Sequence, residues 1–152
     1  MQIIQGNIWA APLPVLIVIT TNADVKANGE LIMGAGIALE ARNKIPTLPL
    51  ECGKIVLDKG AMYGFQIIRH PRTQGKAGLG IFQTKLGWTA NSDVNLIENS
   101  AGMLREYAQY NADVPIRLNY PGIGFGRLKK EFVLPILEKY FSDLENIKVY
   151  YV

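Results

Sequence analysis

The sequence predicts a three-layer α/β domain in which helices cover both faces of a largely parallel β-sheet. Short apolar runs suited to strands alternate along the chain with amphipathic stretches suited to helices, and turn residues separate them. The length of 152 residues corresponds to one domain, and a content of 49% hydrophobic and 19% charged residues excludes intrinsic disorder. We therefore expect residues 1–152 to form a single domain with its own core.

The first predicted strand is Met1–Gly6. The second is Leu16–Thr21, and its continuous apolar character suits a strand that is buried on both faces. A helix is predicted over Ile37–Lys44, entered through Gly34-Ala35-Gly36 and ended near Pro46. Two more strands, separated by a turn rich in proline, glycine and basic residues, are predicted over Tyr63–Arg69 and Leu79–Thr84.

The second half of the chain contains the clearest helical pattern. Apolar residues recur there at intervals of three and four positions: Val94, Ile97, Ala101, Leu104 and Ala108. Asn91 or Ser92 is expected as the N-cap of this helix. A last helix presents an apolar face over Phe132–Tyr140, and Pro135 inside it predicts a late start or a kink. Strands are predicted before and after that helix, over Pro115–Tyr120 and Ile147–Val152.

Composition excludes several classes of protein. Cys52 is the one cysteine, so no internal disulfide forms, and one histidine with one cysteine cannot build a structural zinc site. The apolar run Leu13–Ile19 is far shorter than the ~20 residues that cross a bilayer, and Met1–Gly6 lacks the pattern of a secretory signal. We expect a cytoplasmic protein with no membrane partner, no metal and no cofactor.

The net charge is +3, from 16 basic and 13 acidic residues, and the basic residues concentrate in one stretch. No acid lies between Asp58 and Asp93, whereas Lys59–Lys85 carries five cations: Lys59, Arg69, Arg72, Lys76 and Lys85. Such a stretch attracts phosphate-bearing partners, nucleic acid among them. The alternative is a solvated region that happens to be basic, and charge alone does not decide between the two.

Two glycine-rich loops follow predicted strands, where parallel sheets bind ligands. Gly34-Ala35-Gly36 opens a helix, so its N–H groups can approach a phosphate, although Leu39 stands where the dinucleotide fingerprint needs a glycine. In Pro121–Arg127, alternating glycines permit an anion nest, Phe125 is suited to close over a sugar, and Arg127 to pair with a phosphate. Either loop alone fits tight packing or a flexible connection equally well. Together they predict a diphosphate held between them.

With these motifs in this order, the chain resembles the macro domains, which are α/β/α modules that bind ADP-ribose. The markers span essentially the whole chain: Gly6-Asn7-Ile8, the strand end Val18–Asn22, Met33–Ala38 and Tyr120–Gly126. The resemblance implies a mixed, largely parallel central sheet. Phe82–Lys85 followed by Trp88 is most similar to the ADP-ribosyl glycohydrolase branch, which includes terminal ADP-ribose protein glycohydrolase and DNA ADP-ribosyl glycohydrolase antitoxins.

The resemblance also implies which residues bind ADP-ribose. Asn7, beside Ile8, stands where an aspartate usually reads the adenine amino group, and its carbonyl oxygen can accept that hydrogen bond without a charge. Asn22 stands where an asparagine contacts the distal ribose; Asn28 is the alternative, and Asn22 is preferred because it ends a strand. The residues implied at the diphosphate are Gly34, Ala35, Gly36, Ile37, Pro121, Gly122, Ile123, Gly124, Phe125, Gly126 and Arg127.

Lys85 and Asn22 are the implied catalytic residues. Lys85 matches a lysine that, in some members of the branch, attacks the anomeric carbon of the distal ribose, and an amine partly desolvated in a cleft becomes nucleophilic. The chain departs from the pattern beyond Gly126, where lysine-using protein glycohydrolases place an aspartate. This chain has Lys129 in that region, and Glu131 is the nearest acid.

The predicted function is therefore an ADP-ribose-binding hydrolase that removes ADP-ribose from a modified protein or nucleic acid. Three alternatives stay open. The chain is a non-catalytic reader of ADP-ribose, as the missing carboxylate suggests, or a phosphatase acting on ADP-ribose 1''-phosphate, or a basic nucleic-acid-binding protein. Release of ADP-ribose, release of phosphate and salt-dependent oligonucleotide binding distinguish them.

Overall fold

The computed structural model describes residues 1–71 and 75–152. Its strands are β1 (Gln2–Gln5), β2 (Leu16–Thr21), β3 (Phe65–Arg69), β4 (Gly78–Gln83), β5 (Ile116–Asn119) and β6 (Ile147–Tyr151). Its helices are α1 (Gly36–Lys44), α2 (Leu48–Lys59), α3 (Val94–Tyr110) and α4 (Lys130–Phe141). In the described part of the chain, no helix combines the length and apolar character needed to cross a bilayer. Every predicted strand and helix is present, with bounds that differ by a residue or two.

The strands form one sheet in the order β1-β6-β5-β2-β4-β3. Neighbouring strands run parallel, except that β3 is antiparallel to β4. The expectation of a mixed, largely parallel sheet is therefore confirmed. Strand β2 lies between β5 and β4, and its apolar residues are almost completely buried because helices cover both faces of the sheet.

Helices α1 and α2 cover one face of the sheet, and α3 and α4 cover the other. Successive side chains of β2 point to opposite faces: Ile17 and Ile19 pack with α1 and α2, whereas Leu16 and Val18 pack with α3 and α4. Full burial of an aliphatic side chain contributes roughly 1.5–3 kcal/mol. The two cores on either side of β2 therefore hold the three layers together.

Helix α2 is not predicted by the apolar pattern, because Pro46 and Pro49 favour a break in that part of the chain. In the structure Pro49 lies in the first turn of α2, where its missing N–H costs the helix nothing. The helix packs by close backbone contact, since a Cβ on Gly53 would lie 1.8 Å from the carbonyl oxygen of Gly29. The N–H of Leu31 also donates to the Pro49 carbonyl (2.9 Å). Helix α2 therefore supports the segment between β2 and α1.

One expectation about a helix terminus is wrong, and of the late start or kink expected at Pro135 the late start is excluded. The N-cap of α3 is Asp93 rather than Asn91 or Ser92, and its carboxylate accepts a hydrogen bond from the N–H of Asn95 (2.7 Å). A late start of α4 does not occur, because the helix begins at Lys130 and continues through Pro135.

A crevice opens at the carboxyl ends of β2 and β5. The two strands pair as far as Val18 and Leu118. Beyond that point the Asn119 amide bridges them, accepting from the N–H of Thr20 (2.8 Å) and donating to its hydroxyl (2.8 Å). From β2 the chain continues to α1 on one face, and from β5 it continues to α4 on the other. In α/β sheets, ligands bind where connections diverge in this way.

Candidate functional site

A cavity of about 400 Å³ lies at this crevice. Pockets of roughly 300–1,000 Å³ are typical of small-molecule sites. The cavity is bounded by the ends of β2 and β4, the segment leading into α1, and the loop between β5 and α4. The residues expected from the sequence that line it are Asn22, Gly34, Ala35, Gly36, Ile37, Lys85, Gly122, Ile123, Phe125 and Gly126.

The N-terminus of α1 faces this cavity without a side-chain cap. Its N-cap is Ala35, which has no side-chain acceptor, and the first turn carries no acid. Helical bonding starts with the N–H of Leu39, which donates to the Ala35 carbonyl (3.2 Å), so the preceding N–H groups lack helical partners. Gly36 has φ +56°, a conformation that glycine favours. The exposed positive end of the helix dipole suits an anion.

The loop between β5 and α4 provides the opposing wall. Three backbone hydrogen bonds hold this loop in a folded turn. The N–H of Gly126 donates to the carbonyl of Ile123 (3.3 Å), that of Arg127 to the carbonyl of Gly124 (3.0 Å), and that of Leu128 to the carbonyl of Gly122 (2.9 Å). The N–H groups of Ile123, Gly124 and Phe125 meet no backbone acceptor within the described residues. The Phe125 ring reaches across to α1, since a Cβ on Gly36 would lie 3.4 Å from it. Three expected binding residues of this loop do not line the cavity: Pro121, Gly124 and Arg127.

Asn22 is buried at the end of β2, and its side chain holds the chain segment that follows. Its Nδ2 donates to the Ile32 carbonyl (3.0 Å), and its Oδ1 accepts from the N–H of Asp24 (2.8 Å). The Tyr63 hydroxyl donates to the Asn22 backbone carbonyl (2.7 Å). Asn28, by contrast, is exposed and does not line the cavity. Of the two asparagines considered, Asn22 is the one on the cavity wall.

Lys85 follows β4 and lies beside Trp88 on the cavity wall. Its Nζ donates to the Trp88 carbonyl (3.0 Å). Burial lowers the pKa of the Lys85 amine, and the positive charge of Arg127 lowers that pKa further. The indole of Trp88 is 56% exposed, and the backbone N–H of Trp88 approaches the Asp24 carboxylate (3.4 Å). The site thus combines an amine of lowered pKa with an exposed flat ring.

The carboxylate at the cavity comes from an unexpected place. Beyond Gly126 the first acid is Glu131, which is exposed on α4 and does not line the cavity. Among the described lining residues the acid is Glu30, which precedes α1. Its Oε1 accepts from Asn28 Nδ2 (2.6 Å) and lies 3.9 Å from Lys26 Nζ. The cavity therefore has a carboxylate on the β2–α1 side.

Five further uncharged polar residues line the cavity although the sequence did not mark them as binding residues: Thr20, Thr21, Thr84, Ser92 and Asn119. The cations Lys26 and Arg42 line it as well. Thr20 and Thr21 are the polar end of an otherwise apolar strand, a signal that could have identified them. Asn119 and Ser92 carry no such local signal, because their place at the cavity depends on which strands are neighbours.

Asn7 and Ile8 do not line this cavity. Ile8 is buried in the core beneath α1, and the Asn7 Oδ1 accepts from the N–H of Trp9 (3.0 Å). Arg117 fixes this segment, because its Nη1 donates to the carbonyls of Asn7 (3.4 Å), Ile8 (3.4 Å) and Ala10 (3.0 Å). Asn7 lines a neighbouring groove instead. Its contact with adenine stays a prediction.

The basic stretch Lys59–Lys85 does not form one continuous face in the residues described. Lys59 lies 3.8 Å from the Asp58 carboxylate, and Arg69 pairs with Glu51 (2.9 Å). Lys76 and Lys85 lie at opposite ends of the six-residue strand β4, about 20 Å long. Arg72 lies outside the described residues. Of the four cations that lie within the described residues, Lys85 alone lines the cavity.

No protein-family model and no curated protein matches the sequence. Solved structures match over nearly the whole chain. The macrodomain of Thermus aquaticus DarG has a TM-score of 0.75 at 23% identity, with 98% of this chain and 95% of that chain covered. The macrodomain of Mycobacterium tuberculosis DarG has a TM-score of 0.77 at 21% identity, with coverages of 98% and 95%.

A structure of Thermosipho africanus DarTG in complex with ADP-ribose has a TM-score of 0.79 at 17% identity. It is matched over 97% of this chain and 40% of that chain, so the likeness concerns one part of the longer protein. Likeness of this kind, at low identity and over almost every described element, establishes a shared fold. The chain has the macrodomain fold.

Proposed function

We propose that this chain binds ADP-ribose in the cavity between β2 and β5. One observation carries the proposal: the uncapped N-terminus of α1 lines the same cavity as Ile123 and Phe125, whose N–H groups meet no backbone acceptor within the described residues. A diphosphate suits two such elements, because each phosphate accepts several hydrogen bonds. The Thermosipho africanus DarTG structure, which shares the fold, supports the proposal because it holds ADP-ribose.

The same cavity supports a hydrolase that removes ADP-ribose from a modified protein or nucleic acid, with Asn22 and Lys85 at the distal ribose. The Lys85 amine attacks the anomeric carbon, the bond to the macromolecule breaks, and the leaving atom gains the proton that the amine loses. Water then cleaves the new carbon–nitrogen bond, releasing ADP-ribose and restoring the amine. Cys52 is no alternative nucleophile, because burial raises the pKa of its thiol to about 12.

Substitution at Gly34 tests ligand binding with little disturbance of the fold. A Cβ on Gly34 would meet no atom within 4 Å, and its φ lies outside the left-handed region. Gly34→Val places a branched side chain on the cavity wall at the entrance of α1. We expect ADP-ribose affinity to fall roughly tenfold or more, with the melting temperature unchanged.

Calorimetric titration of ADP-ribose measures this effect, with ADP and ribose 5-phosphate as reference ligands. Gly102→Ala, in α3 and away from the cavity, is the control and should bind as the wild type does. Asn22→Ala is a poorer test, because it also removes the bonds to Asp24 and Ile32. No heat and no thermal shift with the wild type would contradict the proposal. Equal affinities of wild type and Gly34→Val would place the ligand elsewhere.

A non-catalytic reader of ADP-ribose is the second candidate, favoured by the absence of a carboxylate directly beyond Gly126. Incubation with ADP-ribosylated protein and with ADP-ribosylated DNA distinguishes the two, because a hydrolase liberates ADP-ribose whereas a reader only saturates. Comparing the two substrates also identifies the macromolecule. Phosphate released from ADP-ribose 1''-phosphate would instead identify a phosphatase.

A further inference from the structure

We infer that the Ser92 hydroxyl is a ligand-binding group of the cavity and donates a hydrogen bond to a phosphate held by the loop Gly122–Gly126. The inference rests on the proposed function, since it adds a side-chain donor to the same phosphate site. Ser92 lines the cavity, and it belongs to the short segment that joins β4 to α3.

Ser92 Oγ is buried and has no hydrogen-bond partner within the described residues. The whole residue is 8% exposed, so solvent water has little access to the hydroxyl to replace the missing hydrogen bond. Buried hydroxyls are almost always bonded, because an unpaired one loses its hydrogen bonds to water without replacement. Ser100 in α3 follows this rule, since its hydroxyl donates to the Gln83 carbonyl (2.8 Å). The hydroxyl of Ser92 therefore calls for a partner that none of the described residues supplies.

The hydroxyl lies against the glycine loop. A Cβ on Gly126 would lie 2.2 Å from Ser92 Oγ, and a Cβ on Gly122 would lie 3.3 Å from Ser92 Cβ. The backbone is fixed there, because the N–H of Ser92 donates to the Gly126 carbonyl (2.9 Å). Rotation about the Cα–Cβ bond still moves Oγ among three staggered positions. We infer that such a rotation turns the hydroxyl towards an acceptor that enters the cavity, because Ser92 lines the cavity wall.

A phosphate oxygen is the acceptor that fits this position. The N–H groups of Ile123 and Phe125, which also line the cavity, meet no backbone acceptor among the described residues, and the bare N-terminus of α1 adds partial positive charge on the same cavity. A serine O–H adds one more donor to this set, and the backbone N–H groups offer a cation no acceptor. A phosphate thus satisfies the hydroxyl and the loop together.

Ser92→Ala should affect stability and affinity in opposite directions. Removal of an unpaired buried hydroxyl leaves the melting temperature of the free protein unchanged or raised. Loss of a hydrogen bond to a charged phosphate should weaken binding of both ADP-ribose and inorganic pyrophosphate roughly tenfold or more. Melting curves of the free variant and calorimetric titrations with the two ligands measure both effects.

Ser100→Ala is the matched control: it removes a bonded hydroxyl outside the cavity, so it should lower the melting temperature and leave affinity unchanged. Wild-type affinity of Ser92→Ala for both ligands overturns the inference, as does a loss confined to ADP-ribose or accompanied by a lowered melting temperature. The proposed function survives these results whenever the wild type binds ADP-ribose. If the wild type binds pyrophosphate but not ADP-ribose, the proposal of ADP-ribose binding is overturned. The role of Ser92 is then tested by titrating Ser92→Ala with pyrophosphate. Binding of neither ligand overturns both.

Discussion

Gly53→Ala is expected to destabilise the protein by about 3 kcal/mol or more. The added methyl group would lie 1.8 Å from the Gly29 carbonyl oxygen and 3.2 Å from the backbone nitrogen of Leu31. Both are backbone atoms and cannot rotate away, so α2 has to move outwards. Because the N–H of Leu31 donates to the Pro49 carbonyl (2.9 Å), that movement also displaces the β2–α1 segment that bounds the cavity. Ligand affinity should therefore fall together with stability.

Gly102→Ala makes the same substitution in α3 and serves as the control. Its new Cβ would lie 3.6 Å from a ring carbon of Tyr140, which is ordinary contact. Helix propensity alone favours alanine over glycine by about 1 kcal/mol, so this variant should be as stable as the wild type or slightly more so. Urea unfolding of the three proteins gives the free energies. A Gly53→Ala variant with wild-type stability would contradict the close approach of α2 to Gly29.

The contrast between α2 and the other elements shows what local pattern can reveal. Strand β2 and helix α3 carry their own periodicity, so burial and helical spacing predict them directly. Helix α2 has prolines at its start, and it packs through Gly53 against the backbone of Gly29, a residue distant in the sequence. The spacing of apolar residues within α2 does not indicate a contact of this kind. The helix could therefore be found only from the folded chain.

The candidate site likewise contains some residues that a local sequence pattern predicts and others that it does not. The glycine loops were predictable, because glycines at strand ends have a local conformational meaning. The choice between Asn22 and Asn28 was open in the sequence, and the structure places Asn22 on the cavity wall. Asn119 reaches the site because β5 pairs with β2, although the two strands are far apart in the chain. Ser92 reaches it because its N–H bonds to Gly126. Both placements depend on tertiary pairing that single-residue patterns do not carry.

Lys85→Ala is expected to lower the rate of ADP-ribose release by at least about 100-fold while changing ADP-ribose affinity only a few-fold. The amine is the nucleophile of the proposed reaction, and the one hydrogen bond described for it, to Trp88, links partly exposed groups. Lys26→Gln removes another cation from the same cavity wall and should retain activity within a few-fold. Release assays on ADP-ribosylated protein and DNA measure the rates. Undiminished release by Lys85→Ala would rule out the lysine mechanism and leave the binding proposal intact.

The pH dependence of release tests the same amine independently. Only the neutral amine attacks carbon, so the rate should rise with pH and level off above the pKa of Lys85. Burial and then the charge of Arg127 lower that pKa, so the midpoint should lie below the value of about 10.4 for a free lysine. Arg127→Gln removes a like charge and should raise the pKa, which shifts the midpoint to higher pH and lowers the rate at neutral pH. An unchanged midpoint in Arg127→Gln would contradict the effect of the Arg127 charge on this pKa. A rate that falls as pH rises would mean that Lys85 is not the attacking group.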